Sequence, residues 1–244
     1  MKPQTLTRLF SGLALLLSIV DAAAQGTFQN LDFESANLAG YSPVSTQIPM
    51  ADALPHWSAY IFPLPQNYVW YDGVSAGGAA ISVIDSKLPS YYSPFLKPIQ
   101  GNYSVVLFAG MQNGVSSAIS QSGLVPSNTL SLQIKMFCSD VAPVITLGGQ
   151  TVNKVPLQTF SNYSLYGGDV ASLAGQVATL SITEPPPPSG QVPTTDVVLD
   201  DIVFSPEMIP EPTFFALFVL ATMLSGSRFL VRLKVLPGDD HKSP

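Results

Sequence analysis

From Leu130 to Phe137 the sequence reads LSLQIKMF, with Leu130, Leu132, Ile134 and Met136 alternating with Ser131, Gln133 and Lys135. Successive side chains of an extended strand point to opposite faces, so this period of two describes a strand with one face buried and one face wet. The same grammar continues along the chain. YSVVLFAG (Tyr103–Gly110) is a shorter, more continuously apolar strand, and PVITLGGQTV (Pro143–Val152) reads as a hairpin turning at Gly148-Gly149. QVATLSIT and DVVLDDIVFS are the last two strands, joined by the proline-rich EPPPPSGQVPTT, which suits an exposed polyproline II connection. Short strands, frequent turn residues and no convincing soluble helix predict an all-β, antiparallel β-sandwich.

Both ends of the 244-residue chain depart from that grammar. Met1–Ala24 carries Lys2 and Arg8, then an apolar run from Leu9 to Val20, then Ala22-Ala23-Ala24. That order is a secretory signal peptide over residues 1–24, with cleavage after Ala24. Thr213–Ser227 holds no charge and distributes Phe214, Phe215, Leu217, Phe218, Val219, Leu220, Met223 and Leu224 all round a helix. Extended to Val235 it would rise about 34 Å, enough to cross a bilayer if Arg228, Arg232 and Lys234 snorkel to the headgroups. Basic residues after the span stay cytoplasmic, so residues 25–206 form one exported domain hung from one C-terminal transmembrane helix. Residues 207–244 are the anchor and its tail.

The exported part holds four lysines (87, 97, 135 and 154), no arginine and thirteen acidic residues up to Pro212, a net charge near −9. Such a surface excludes nucleic acid as a partner. Cys138 is the single cysteine, which rules out an internal disulfide and a cysteine metal site. Gly73-Val74-Ser75-Ala76-Gly77 fits the G-x-S-x-G pattern of a nucleophile elbow. The flanking VWYDG and AAISV read as strands, and the only later histidine, His241, lies beyond the anchor, so the match is accidental. An enzyme would have to rely on a carboxylate pair of the glycosidase kind, drawn from Asp72, Asp85, Asp140 and Asp169, and nothing in the sequence pairs them.

The acids near the two ends of the domain carry more. FQNLDFES sets Asp32 and Glu34 around Phe33 in an expected first strand, and VVLDDIVFS sets Asp200 and Asp201 in the last. One of those two aspartates must point inward, and a buried carboxylate needs hydrogen bonds, a proton or a cation. Without a nearby basic residue, one structural Ca2+ where the first and last strands meet would serve; exposed or hydrogen-bonded acids are the alternative. The aromatics of LPHWSAYIFPLPQNYVWYDG, chiefly Trp57, Tyr60, Trp70 and Tyr71, either cap the core or form an exposed platform for sugar rings.

Two resemblances follow from these residues. Pro210-Glu211-Pro212, the apolar span and Arg228, Arg232 and Lys234 resemble the PEP-CTERM sorting signal of bacterial exported proteins. That resemblance implies an exosortase-type membrane enzyme as partner, an inner-membrane stage, and delivery to the periplasm, cell surface or an exopolysaccharide matrix. NLDFES, LPHWSAY, GNYSVVL, AISQSGLVP and LDDIVFS resemble galactose-binding-like (jelly-roll) β-sandwiches over Phe28–Ser205. In related carbohydrate-binding modules two such acids help hold a structural Ca2+, which here would be Glu34 and Asp201. The expectation is a non-catalytic surface or matrix protein binding extracellular polysaccharide, with a matrix-polysaccharide hydrolase as the competing class.

Overall fold

Two-residue periodicity does set the strands. The computed structural model describes residues 26–43, 46–73, 78–87, 96–110, 114–138, 141–188 and 194–209. Its first strands are short: β1 (Thr46–Pro49), β2 (Ser58–Ile61), β3 (Leu64–Gln66), β4 (Tyr68–Tyr71) and β5 (Ala80–Ile84), with a one-turn helix, α1 (Met50–Ala53), after β1. Longer strands follow: β6 (Ser104–Gly110), β7 (Ser117–Leu124) and β8 (Ser131–Cys138). Then come β9 (Val144–Leu147), β10 (Gln150–Thr151), β11 (Val155–Thr159), β12 (Ser164–Asp169), β13 (Val177–Glu184) and β14 (Thr194–Ser205).

These strands form two sheets. Eight are ordered β1-β4-β5-β6-β14-β8-β12-β11 and six are ordered β10-β9-β13-β7-β2-β3. Ile119, Ile145, Leu147, Leu180 and Ile182 of the smaller sheet meet Leu107, Ile134, Met136, Val197 and Leu199 of the larger one in a single buried core. This is the β-sandwich expected from the sequence. The pairing is not wholly antiparallel, because β4 and β5 run parallel, with Trp70 opposite Ser82 and Tyr71 opposite Val83.

β6 is buried at all seven positions. Its inner residues Val105 and Leu107 face the sandwich core, while Val106 and Phe108 join Ile84, Val198 and Leu96 in a second cluster on the sheet's outer face. Burial on both sides is why this strand reads as a continuous apolar run rather than an alternation. The hairpin at Gly148-Gly149 forms as expected, with Gln150 opposite Leu147. Gly148 (φ 58°) and Gly149 (φ 77°) both take the left-handed backbone that a two-residue primed turn demands.

The expected first strand does not form. Residues 28–30 are irregular and residues 31–35 run as turns, with Asn30 and Phe33 at positive φ (51° and 59°). The Asn30 side chain accounts for the difference: Oδ1 accepts the Ser35 N–H at 2.9 Å, and Nδ2 donates to the Pro55 carbonyl at 3.2 Å. A local side-chain bond of this kind offers the backbone an alternative to a ladder. The segment still reaches the last strand. The register of β14 on β8 shifts between Asp200 and Val203, and the Ile202 N–H donates to the Leu31 carbonyl at 3.0 Å. The turn segment thus satisfies a backbone group beside the bulge.

The signal peptide, the PEP triplet, the span about 213–235 and Ser75 of the G-x-S-x-G match all lie outside the described residues. Among the described residues no helix is long and apolar enough to cross a membrane.

Candidate functional site

Most of the candidate aromatics belong to the core. Trp57 is 6% exposed, packs on Phe33 at 5.6 Å between ring centroids, and donates its indole N–H to the Asn30 carbonyl at 2.9 Å. Tyr71 is 1% exposed. Neither offers a face to a ligand, which corrects the expectation of a four-residue platform. Trp70 is half-buried against the outer cluster of the larger sheet. Tyr60 is half-buried and stacks on the exposed Phe62 at 6.0 Å, on the hairpin joining β2 to β3. Trp57 lies just before β2 and Tyr60 within it, and only the tertiary packing decides which is covered.

The two expected metal ligands are served by other partners. Glu34 Oε1 accepts the backbone N–H of Asn102 (2.7 Å) and of Tyr103 (3.0 Å), and Oε2 accepts the Asn102 side-chain amide at 2.8 Å. Asp201 forms an ion pair with Lys135 at 2.7 Å. Lys135 lies on the neighbouring strand, so the expectation that no lysine was near fails because sequence distance hides a cross-strand neighbour. Among the described residues no group of three or more His, Cys, Asp or Glu gathers as a metal site. The two carboxylates as they stand fit N–H donors and an ammonium, not a shared calcium ion.

Of the aspartate pair, Asp200 is the buried one at 1% exposure. It shares the outer face of the sheet with Val198, beneath the segment before β6. Oδ2 accepts the Ser104 hydroxyl at 2.6 Å and the Gln100 N–H at 2.9 Å, while Oδ1 accepts the Asp201 N–H at 2.8 Å. Burial pushes its pKa up to about 6 in spite of those donors. Asp201 takes positive φ (45°) in the bulge and leaves the ladder, which frees its carboxylate to reach Lys135.

Around that ion pair the structure gathers a surface that the sequence reading missed. Phe160 and Tyr163, at the tip joining β11 to β12, stack at 4.5 Å with an interplanar angle of 24°. The Phe160 N–H donates to the Tyr163 carbonyl at 2.9 Å, closing a tight turn. Lys135 Nζ stands 5.9 Å from the Tyr163 ring centroid and also donates to Gln100 Oε1. An aromatic pair, an amide, an ammonium and a carboxylate therefore lie side by side, with Phe160 39% exposed and Tyr163 half-buried. The signal available was TFSNYS, two aromatics three residues apart between strand runs. Nothing in the chain order ties it to Lys135, Gln100 or Asp201.

A second polar cluster involves the candidate catalytic acids. Asp72 and Asp85 are brought together: the Asp85 N–H donates to Asp72 Oδ1 at 2.9 Å, and the two carboxyls are in hydrogen-bond contact. The Tyr71 hydroxyl donates to Asp85 Oδ2 at 2.7 Å, and Lys87 Nζ lies 3.3 Å from the same oxygen. Burial raises Asp72 to about 7 and Tyr71 to about 12. Asp85, although burial opposes it, is held below its ordinary range by Tyr71 and the Lys87 N–H. Glycosidase carboxyls stand about 5–9.5 Å apart to admit a sugar and water; touching carboxyls leave no such gap. Asp169 is exposed and accepts the Ala171 N–H at 2.9 Å, while Asp140 lies outside the described residues.

No protein-family model matches the chain, and no curated protein matches it. Among solved structures, one described as TmCBM61 in complex with β-1,4-galactotriose is similar at 12% identity and a TM-score of 0.40, covering 73% of this chain and 96% of that one. At so low a score the likeness carries nothing about ligand to this chain, whose two-sheet sandwich stands on its own topology.

Proposed function

We propose that this protein is an exported, membrane-anchored, non-catalytic surface or matrix protein whose β-sandwich, of the galactose-binding-like kind, binds a neutral glycan. The observation that carries the binding half is the Phe160–Tyr163 stack beside Gln100, Lys135 and Asp201. Sugars present apolar C–H faces flanked by hydroxyls. An aromatic face takes the first, and side chains that both donate and accept hydrogen bonds take the second. The acidic balance of the domain favours an uncharged chain over an anionic one.

The full chain, purified in mild detergent, should retain neutral polysaccharide on a glycan array and release no reducing ends from the same polymers. Phe160→Ala should weaken binding about tenfold or more, as removal of an aromatic anchor does. Retained affinity in Phe160→Ala and Tyr163→Ala together would place the ligand elsewhere. Hydrolysis of any array polymer would favour the competing hydrolase reading.

The sorting half rests on sequence order: Pro210-Glu211-Pro212, the apolar span, then Arg228, Arg232 and Lys234. An exosortase-type enzyme in the inner membrane would read that signal before release to the periplasm, surface or matrix. Removing residues 210–244 should shift the protein from the membrane fraction to the soluble one. Persistence in the membrane fraction would end the anchor reading.

A further inference from the structure

One end of the sandwich is apolar on its outside as well as within. On the outer face of the smaller sheet, β7 and β13 present Ser120, Ser122, Thr179, Ser181 and Thr183, and then, as the last pair, Leu124 opposite Val177. Leu124 is 38% exposed and Val177 54%. At the same end the larger sheet carries Val203, 41% exposed where β14 bulges, and Phe204, whose ring packs on Phe28 at 4.8 Å. A cleft of about 260 Å3 lies between the two sets, with Phe28, Leu124, Val203 and Phe204 in its walls. A single exposed apolar side chain needs no explanation, but a contiguous apolar rim marks a contact surface.

Where the chain leaves the sandwich says what meets this rim. β14 runs out at Ser205, opposite Ser131 and directly after Val203 and Phe204. Eight residues later, at Thr213, the uncharged apolar span begins. Eight residues of chain reach at most about 28 Å. The opposite end, where Ile61 pairs with Ser117, lies about 24 Å further back along β7. The Phe160–Tyr163 tip points that way too, since it enters β12 at Ser164, opposite Met136 near the far end of β8. We propose, on the reading of residues 213–235 as a transmembrane helix, that Leu124, Val177 and Val203 form a membrane-contact surface on which the sandwich rests against lipid. The three side chains carry no charge and the domain is strongly acidic, so headgroup phosphates do not attract it. The contact is made by burying apolar surface at the boundary of headgroups and acyl chains. A domain seated this way turns its aromatic tip away from the bilayer, toward the extracellular polymer.

The test uses the full chain in phosphatidylcholine vesicles, with a fluorophore on an introduced cysteine. Burial pushes the native Cys138 thiol up to about 12, so labelling at neutral pH selects an exposed cysteine instead. Val177→Cys carries the label on the rim, and Phe62→Cys, at a position 46% exposed on the opposite end, is the reference. With nitroxide-bearing lipid in the bilayer, the Val177→Cys label should be quenched several-fold more than the Phe62→Cys label, and iodide in the water should do the reverse. Leu124→Ser combined with Val203→Ser, both at exposed positions, should reduce lipid quenching of the Val177→Cys label to the reference level. Equal lipid quenching at the two positions, in protein that floats with the vesicles, would overturn the contact and leave the anchor standing. Failure to float with the vesicles would overturn the anchor and the contact with it. Shielding from iodide without lipid quenching would overturn the contact by assigning the rim to a second copy of the chain.

Discussion

Glu34 shows how one side chain can fix a loop far away in sequence. Its carboxylate holds Asn102 and Tyr103, and an added Cβ on Gly101 would lie only 2.2 Å from Glu34 Oε1. Gly101 also sits at φ 62°, so space and backbone both demand glycine there. Gly101→Ala should therefore lower the thermal midpoint clearly. Glu34→Ala should cost about 1–3 kcal/mol by leaving N–H donors without their charged acceptor, measured by denaturant unfolding. Midpoints unchanged in both would mean the clamp contributes nothing. The importance of Glu34 was legible in NLDFES, but its partner was not. A carboxylate that accepts backbone N–H groups and one that binds a cation look alike until the loop opposite is known.

At the scale of elements, period and turn chemistry were readable wherever one strand met water on one side. LSLQIKMF became β8, and Gly148-Gly149 became a primed turn, because each signal is local. Nothing within 4 Å would touch a Cβ on Gly149, so the cost of Gly149→Ala is purely conformational, about 1–2 kcal/mol. Gly148→Asn should be tolerated far better, since Asn-Gly is a preferred pair for this turn; thermal melts of the two variants check the ranking. The parallel partnership of β4 and β5 was not readable, nor was the bulge at Asp201. Both depend on which strand lies alongside, and chain order does not state it. Trp57, just before β2, and Tyr71, at the end of β4, failed as surface candidates for the same reason: an aromatic in or beside a short strand carries no mark of which sheet face will be covered.

The molecule as a whole has buried acids, and these set its response to pH. Glu184 is 0% exposed, both its oxygens lack hydrogen-bond partners, and burial raises it from 4.5 to about 8. Asp200 is raised from 3.8 to about 6. Each folded-state pKa lies above its unfolded value, so the folded chain keeps protons that the unfolded chain has released. Their contribution is complete below about pH 4 and is lost as pH rises through about 6 for Asp200 and about 8 for Glu184. The thermal midpoint should accordingly fall between about pH 5 and pH 8. Glu184→Gln should flatten the upper part of that fall and melt higher than wild type at pH 8. A wild-type midpoint that rises over this interval would refute the assignment of these acids as neutral when folded.

The strand order has a consequence for how such a chain comes to be made. β14 lies between β6 and β8, in the middle of the larger sheet, yet it follows both of them in sequence. Until it is synthesised, β6 and β8 have no strand to join them, and the core around Val105, Leu107, Ile134 and Met136 lacks the Val197 and Leu199 side chains that complete it. Closure of the sandwich is thus a late, non-local event, of the slow kind. A nascent chain ending before Thr194 should be digested by protease, while one ending after Glu207 should resist. A domain that cannot close early keeps an unfinished core open to chaperones during synthesis. Its topology works as a timer.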